Sequence, residues 1–272
     1  TDDSSPDRSP QPLPVHQHTL RRVNRKEEQH RPPYLLRNAL PVLNFFVLQF
    51  RPRPAMDIEL ARFNMIEQQI RPWEVLDPSV LALLKEIPRE NFVPLEHSAI
   101  AFADFCVPLA HGQCMMQPKV EARLLQSLAL TELDQVLEIG TGTGYMTALL
   151  SRHCSHVTSV DIHGDFLRPA AARLEALGIH NVTLEEGDGA DGGNAAGNWD
   201  AILLTGSVPV LPDTYCQALA PSGRLAAIVG QDPVMEAILY CQNADGELSQ
   251  QSLFETSLPP LINARAPSAF TF

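Results

Sequence analysis

Short apolar segments alternate with amphipathic segments over the second half of the chain, and this alternation predicts the fold. Strand-like apolar runs occupy residues 135–139, 156–162, 182–185, 199–205 and 224–229. Helical periodicity fills the gaps, through residues 146–150, over 167–177 up to Gly178, and near 214–219. Strands that alternate with helices indicate an α/β protein with a doubly wound, Rossmann-like sheet.

The C-terminal part changes to a hairpin pattern. Residues 237–240 and 249–255 are β-like, and they flank the tetrapeptide Asn-Ala-Asp-Gly at 243–246. Such a tetrapeptide between two strands is typical of a tight turn. We therefore expect an antiparallel C-terminal hairpin that closes the sheet.

Two amphipathic segments upstream predict N-terminal helices. From Met56 to Ile70 the apolar residues fall largely on one face, and Pro72 ends the segment. Asp77 is placed as an N-cap with Pro78 at the first helical position of a second helix. A helical cap that covers the edge or face of the sheet is the expected role of both.

Residues 1–55 differ in composition from the rest. They contain nine prolines separated by polar and charged residues, without a sustained period. Burial in such a stretch does not offset the entropy of ordering it, so the sequence predicts a disordered extension. It is interpreted as a leader, a tag remnant or a mis-assigned gene start, with an organellar presequence as the alternative. The folded domain is then residues 56–272.

The charge is divided unevenly between these two parts. Residues 1–55 carry nine Lys/Arg against five Asp/Glu, whereas residues 56–272 carry eleven against twenty-seven. A body with that excess of carboxylates repels nucleic acid, so no nucleic-acid partner is expected. The apolar run at 40–50 is too short to span a bilayer, and no membrane partner is expected.

The cysteines favour a reducing compartment. Five cysteines, an odd number without a C-x-x-C pair, argue against a disulfide framework and a structural zinc site. His153, Cys154, His156 and His163 cluster in sequence, but they lie on different predicted elements. The sequence therefore predicts a cytoplasmic protein without a metal. We also expect the protein to be a monomer.

The motif V-L-E-I-G-T-G-T-G-Y at 136–145 carries the most chemical information. A strand, a glycine turn and a helix start follow one another, so backbone amides approach a ligand closely at Gly140, Thr141, Gly142 and Gly144. Tyr145 stands where a dinucleotide fingerprint requires glycine, which disfavours a pyrophosphate. The spacing suits a nucleoside without phosphates, such as S-adenosylmethionine.

Two acids are predicted to complete the nucleoside site. Asp161 lies at the tip of the second strand, where a carboxylate accepts hydrogen bonds from ribose hydroxyls. Asp188, followed by Gly189, comes just after the third strand and is placed to accept from an adenine amino group. The alternative for the second acid is a solvated turn.

Several segments in this order resemble the protein-L-isoaspartate O-methyltransferase family, nearly throughout from Met56 onward. They are I-P-R-E-N-F-V-P (87–94), A-F-A-D-F-C-V-P-L-A-H-G-Q (101–113), Q-P-K-V-E-A-R-L-L (117–125), V-L-E-I-G-T-G-T-G-Y (136–145), E-E-G-D-G-A-D-G (185–192) and W-D-A-I-L-L-T-G-S-V-P-V-L-P (199–212). The resemblance implies a class I methyltransferase that uses S-adenosylmethionine and methylates isoaspartyl residues of damaged proteins. It also implies that the glycine turn, Asp161 and Asp188 bind the cofactor.

The chain departs from the family mainly at one loop, and it also has Asp161 where the family usually has glutamate. The family loop usually reads G-Q-T-I-S-Q-P, and this chain keeps Gln113 and Gln117 but has Cys114 for the threonine and Met116 for the functional serine. A thioether donates no hydrogen bond, so the catalytic residue is unknown. Three hypotheses stay open: an altered isoaspartyl enzyme with backbone amides or Thr205 compensating, a methyltransferase for another nucleophile, or a binding protein without turnover.

Three neighbours of the loop carry weaker hypotheses. His111 is a candidate base if the acceptor is a hydroxyl or thiol, although a plain loop histidine is the simpler interpretation. Cys114 has no evident activating partner and is treated as structural. Lys119 is the nearby cation and the candidate for attracting a carboxylate, although a solvated side chain is the simpler interpretation.

Overall fold

The computed structural model describes residues 57–193 and 195–265. The predicted extension at 1–55 and the helix start at Met56 lie outside these ranges. A seven-stranded sheet dominates the described part, and its strands run in the order β5-β4-β3-β6-β7-β8-β9. The seven strands are β3 (Gln135–Ile139), β4 (His156–Asp161), β5 (Val182–Glu186), β6 (Trp199–Val208), β7 (Leu219–Gln231), β8 (Val234–Gln242) and β9 (Leu248–Glu255).

Strand β3 lies at the centre of the parallel part. It pairs in parallel with β4 on one side and with β6 on the other, and β5 and β7 continue the parallel arrangement outward. Val136 and Leu137 are completely buried, because helices cover both faces of such a sheet. The carboxyl ends of β3, β4 and β6 therefore meet at one edge, where ligands bind in doubly wound folds.

The predicted C-terminal hairpin is present. Strands β8 and β9 are antiparallel to their neighbours, and the turn between them uses Asn243 and Gly246, the latter with φ +84°. The side chain of Asn243 accepts from the amides of Asp245 and Glu247, which fixes the turn. Both strands run longer than the apolar runs that predicted them.

Six α-helices and a small two-stranded sheet complete the described residues. The helices are α1 (Ile58–Asn64), α2 (Pro78–Glu86), α3 (Pro118–Leu128), α4 (Tyr145–Ser151), α5 (Gly164–Ala176) and α6 (Asp213–Gln217). The small sheet pairs β1 (Val107–Pro108) with β2 (Cys114–Met115) and folds the intervening loop back on itself. None of the helices in these ranges is long and apolar enough to cross a membrane.

The first helix does not have the single apolar face that the sequence predicts. Leu60 and Phe63 are 55% and 53% exposed, whereas Met65, Ile66 and Ile70 are buried in a π-helical continuation, Met65–Ile70. A π turn has a different period from an α turn, so one helical face cannot hold all these residues. The second helix follows the prediction, with Asp77 accepting from the Ser79 amide.

Helix α5 differs from its prediction at Pro169. The helix begins at Gly164, three residues before the predicted start, so Pro169 lies at its sixth position, beyond the first turn. A proline there has no amide to donate to the Asp165 carbonyl. The helix end agrees with the prediction, because Gly178 adopts φ +64° and donates to the Glu175 carbonyl.

Candidate active site

A cleft lies at the carboxyl edge of the parallel strands, and its volume is about 850 Å³ when the open solvent at its mouth is included. The turn after β3, the tip of β4 and the loop after β5 form one wall, and the loop ending at Met116 forms another. Leu258 and Leu261, which follow β9, also line it. That last segment is held to β6 because the Ser207 amide donates to Pro259 and the Leu261 amide donates to Ser207.

The glycine turn has a backbone that requires glycine. Gly140 adopts φ +100°, and a Cβ there would lie 2.2 Å from Thr205 Oγ1. The Thr205 hydroxyl donates to the Ile139 and Gly140 carbonyls at 2.9 and 2.7 Å. This hydroxyl therefore fixes the turn, and it is not free to compensate for the lost serine.

Asp161 joins the turn to the tip of β4. Its Oδ2 accepts from the Gly142 amide at 2.8 Å, and its Oδ1 accepts from the His163 amide at 2.9 Å. The residue is 7% exposed and lines the cleft. Each carboxylate oxygen has two lone pairs, so both retain capacity for a ligand donor.

Asp188 and Gly189 lie on the same wall after β5. Asp188 Oδ1 accepts from the Ala190 amide, and Oδ2 accepts from Asn263 Nδ2 at 2.8 Å. A Cβ on Gly189 would lie 2.5 Å from Ile139 Cγ2, so a side chain is excluded there. Asp188 is exposed, as a solvated turn would be, and its hydrogen bond from Asn263 also connects this wall to the C-terminal segment.

Two predicted cofactor residues have different surroundings. Thr141 lines the cleft, but its hydroxyl points inward to Ser159 Oγ at 2.7 Å. Gly144 is absent from the lining of the cleft, and it is the N-cap of α4 with φ +85°. A Cβ on Gly144 would meet Ala170 Cβ at 3.0 Å, so this glycine permits close packing of α5 against the turn.

A buried glutamate supports the turn from below. Glu138 is completely buried, and its Oε2 accepts from Thr147 and Ser159 at 2.5 and 2.6 Å. Burial raises the pKa of Glu138 to about 8, against the lowering effect of these two hydroxyls. Because Ser159 donates to Glu138, it accepts from Thr141, and the chain of hydrogen bonds reaches the cleft wall.

The substituted loop forms the other wall. Gln113, Met115 and Met116 line the cleft, and the two methionines are 5% and 3% exposed. The Gln113 side chain makes a 3.4 Å contact with the His111 carbonyl. Gln117 does not line the cleft; it is the N-cap of α3, and its carbonyl accepts the first helical amides.

Arg89 anchors this loop from underneath. Its Nη2 donates to the Met116 carbonyl at 2.7 Å, its Nε donates to the Ala101 carbonyl at 2.9 Å, and its Nη1 pairs with Glu121. Burial raises the pKa of Glu121 to about 7, while the adjacent guanidinium opposes this rise. Glu121 also lines the cleft. The wall formed by the substituted loop, called the acceptor wall below, therefore contains a buried ion pair beneath two methionines.

Lys119 and His111 do not point into the cleft. Lys119 Nζ pairs with Asp104 at 2.6 Å and lies 4.0 Å from the centroid of the Trp73 ring, so it is not available to attract an acceptor carboxylate. His111 Nε2 contacts Asp165 at 2.8 Å, and its ring stacks on His163 at 3.9 Å. The hydrogen bond from His111 lowers the pKa of Asp165.

One group of possible metal ligands forms among the residues at 57–193 and 195–265. His111, His163 and Asp165 each offer a ligand atom within 4.8 Å of the others. The two imidazole planes are only 14° apart, so their in-plane lone pairs run side by side and do not converge. Of the histidines and cysteine clustered in sequence, His163 alone joins this group.

Cys114 has a partner that sequence reasoning missed. Cys106 directly precedes β1, and a hydrogen bond from the Cys114 thiol lowers the pKa of Cys106 to about 7. The pKa of Cys114 is raised, chiefly by the same contact. The sequence analysis also missed Arg89, Glu121 and the Tyr145 hydroxyl. The one available signal was that Arg89 is the lone cation of the motif I-P-R-E-N-F-V-P.

The architecture has solved counterparts. A structure described as a protein-L-isoaspartate O-methyltransferase from Plasmodium falciparum, in complex with S-adenosyl-L-homocysteine, superposes with a TM-score of 0.60 at 18% identity. The match covers 75% of this chain and 97% of that chain. The sheet order, the glycine turn and the acid at the tip of β4 define a class I methyltransferase fold, as the sequence predicts.

The family follows from the sequence comparisons. The family model described as protein-L-isoaspartate (D-aspartate) O-methyltransferase matches residues 61–266. A protein-L-isoaspartate O-methyltransferase 1 of Anaeromyxobacter sp. is 41% identical, over 70% of this chain and 91% of its own length. Another from Rhodopseudomonas palustris is 36% identical, over 74% and 82%. The chain belongs to this family, which confirms the resemblance.

Proposed function

We propose that this protein is an S-adenosylmethionine-dependent O-methyltransferase that methylates the carboxylate of isoaspartyl residues in proteins and peptides. The observation that supports it most is the hydrogen bond from the Gly142 amide to Asp161 Oδ2, at the wall of the cleft. It holds a carboxylate and a side-chain-free turn side by side, which is the combination that a ribose needs. Family membership supplies the acceptor class.

The residues fit a nucleoside cofactor. A Cβ on Gly140 or Gly189 would collide with Thr205 or Ile139, so both glycines let the backbone of the cleft walls pack closely against the protein beneath it. We assign Gly140, Thr141, Gly142, Asp161, Asp188 and Gly189 to the cofactor, with Gly144 supporting the turn. When bound, S-adenosylmethionine supplies an electrophilic methyl group on a sulfonium. Thr141 contributes through its backbone, because Ser159 occupies its hydroxyl.

The acceptor chemistry asks little of the protein beyond position. A carboxylate with a reference pKa near 4 is ionised at neutral pH and needs no general base. Holding the reacting groups in line supplies up to about 7 to 11 kcal/mol. The Arg89 contact to the Met116 carbonyl fixes the acceptor wall, although Met116 itself donates nothing.

A methyltransferase for a hydroxyl or thiol acceptor is the second candidate function, and one observation favours it. Glu121 lines the acceptor wall with its pKa raised to about 7 by burial, a value suited to general-base work on a hydroxyl or thiol. Its pairing with Arg89 opposes this role, since the guanidinium stabilises the carboxylate. A cofactor-binding protein without turnover is the third outcome that the experiments separate.

The first experiment measures binding of S-adenosylhomocysteine by calorimetry. We expect binding to the natural chain and at least about tenfold weaker binding to Asp161→Ala, because a hydrogen bond to a charged group contributes about 1.5 to 3 kcal/mol. Asp245→Ala, on the hairpin turn between β8 and β9, is the matched control. The absence of binding to the natural chain contradicts every methyltransferase hypothesis.

The second experiment transfers labelled methyl groups to an isoaspartyl peptide. We expect the natural chain to label this peptide and not its aspartyl counterpart. Met116→Ser should raise kcat/KM about ten- to a hundredfold only if no other group of the chain supplies the missing donor. A natural chain that binds cofactor but labels no isoaspartyl peptide contradicts the proposed function and favours the second or third candidate.

We further place the working unit at residues 56–272, acting as a monomer in the cytoplasm. The odd number of cysteines supports a reducing compartment. Light scattering of the purified protein tests the monomer directly.

A further inference from the structure

Tyr145 lines the cleft, and its hydroxyl is a buried polar group. The residue is 1% exposed. Among the residues that the structure describes, no atom forms a well-aligned hydrogen bond with its Oη, and the Arg89 guanidinium is the charged group that lies beside it. A buried hydroxyl without a partner is costly, so its retention calls for a ligand group.

The Tyr145 ring is held independently of its hydroxyl. Phe92 packs against it edge to face, with ring centroids 5.4 Å apart and planes at 61°. The Arg89 guanidinium carbon lies 5.0 Å from the ring centroid. These contacts fix the direction of the phenol oxygen before any ligand binds.

Arg89 also connects this ring to the position of the lost serine. Its Nη2 donates to the Met116 carbonyl at 2.7 Å, while the same guanidinium lies over Tyr145. Met116 and Tyr145 both line the cleft. A rigid hydroxyl donor therefore lies one side chain away from the residue that replaces the family's hydroxyl.

Several other donors on the acceptor wall are already engaged. Thr205 donates to the turn carbonyls, and Lys119 pairs with Asp104. The three donor groups of Arg89 that face this wall bind Ala101, Glu121 and Met116. Among the described side chains that line this wall, the Tyr145 phenol and the Gln113 amide, which makes a 3.4 Å contact with the His111 carbonyl, are donors with capacity left.

We propose that the Tyr145 hydroxyl donates a hydrogen bond to the acceptor carboxylate and replaces the family serine in positioning it. The inference rests on the proposed function, because it assumes a carboxylate acceptor. Burial raises the pKa of Tyr145, so the phenol stays protonated and can donate throughout the neutral range.

The test is Tyr145→Phe, which removes one oxygen and keeps the ring contacts. We expect the affinity for an isoaspartyl peptide, measured with S-adenosylhomocysteine bound, to fall about ten- to a hundredfold. The KM of the peptide should rise with it. The affinity for S-adenosylhomocysteine and the melting temperature should hold or rise, because the variant loses an unpartnered buried group.

Two further variants make the result specific. Tyr240→Phe on β8 is the matched control, since Tyr240 is also buried but lies outside the cleft lining. Met116→Ser, introduced into Tyr145→Phe, should recover part of the lost peptide affinity, which a purely structural tyrosine would not allow.

The outcomes separate this inference from the proposed function. If the natural chain labels the isoaspartyl peptide and Tyr145→Phe does so with the same KM and peptide affinity, the role of Tyr145 is overturned while the function stands. An equal loss of S-adenosylhomocysteine affinity also overturns it. If the natural chain neither binds nor labels the peptide, both proposals fail.

Discussion

Two carboxylates near the glycine turn show how surroundings decide a side chain's chemistry. Asp161 accepts from two backbone amides at the cleft wall, whereas Glu138 lies completely buried and accepts from two hydroxyls. The pKa of Glu138 is raised to about 8 because burial outweighs its hydroxyl partners. Asp161 is the acid that we propose for the cofactor, and Glu138 joins the strand and helix beneath the turn.

Glu138 predicts a pH dependence of stability. Its folded-state pKa of about 8 exceeds the ordinary 4.5, so the folded protein binds the proton more tightly. This stabilising contribution is complete below pH 4.5 and is lost as the pH rises toward 8. We expect the natural chain to lose about 1 to 3 kcal/mol of unfolding free energy relative to Glu138→Gln between pH 6 and pH 8.5.

Urea unfolding at the two pH values measures this difference. Glu138→Gln keeps an acceptor for Thr147 and Ser159 but does not titrate. Glu132→Gln, at an exposed position, serves as the control and should follow the natural chain. Parallel curves for the natural chain and Glu138→Gln would contradict the assigned proton.

At the scale of elements, alanine substitutions at two glycines measure how much close packing next to the turn between β3 and α4 contributes to stability. Gly144 and Gly178 both have a positive φ, but a Cβ on Gly144 would meet Ala170 whereas one on Gly178 would meet nothing within 4 Å. Gly178→Ala should therefore cost about 1 kcal/mol through backbone strain alone. Gly144→Ala should cost at least about 1 kcal/mol more, through the contact with α5.

Denaturant unfolding of both alanine variants separates the two effects. The difference between them isolates the contact with Ala170, because the backbone terms are similar. Equal losses would mean that α5 shifts freely away from the turn. The affinity for S-adenosylhomocysteine should fall only in Gly144→Ala, since that glycine positions the turn.

Element prediction worked where a local period was clean. The parallel strands and the second helix were predicted because alternation and the Asp77 cap are local signals. Helix α3 was not predicted, although Pro118 and the apolar spacing after it mark a helix. The face of α1 was wrong, because the π turn that follows it changes the period and the tertiary contacts decide which residues are buried.

At the scale of the molecule, the excess of carboxylates predicts a salt effect. Residues 56–272 carry eleven Lys/Arg against twenty-seven Asp/Glu, so an anionic peptide is repelled. Raising the ionic strength from about 0.02 to 0.3 M should lower its KM severalfold, because the screening length falls from about 20 Å to below 10 Å. Initial rates with labelled cofactor measure the change.

A cationic peptide with the same isoaspartyl group is the control. Its KM should rise over the same salt range, since screening then removes an attraction. The same direction of change for both peptides would point to a general effect of salt on the protein.

The sequence by itself determined the fold class, the family, the glycine turn and the positions of Asp161 and Asp188. These depend on residue periods and on strand ends, which are local along the chain. Only the tertiary structure decided that Gly142 donates to Asp161, that Thr141 points inward, and that Thr205 is engaged by the turn.

The acceptor wall depended most on the tertiary structure. Arg89 and Glu121 are 32 residues apart in sequence, and Tyr145 joins them from a third segment. Long-range packing brings these groups beneath Met116, and it determines which donors are occupied and which are left. No local pattern encodes that, because the occupancy of a buried donor depends on every neighbour that the fold places within reach.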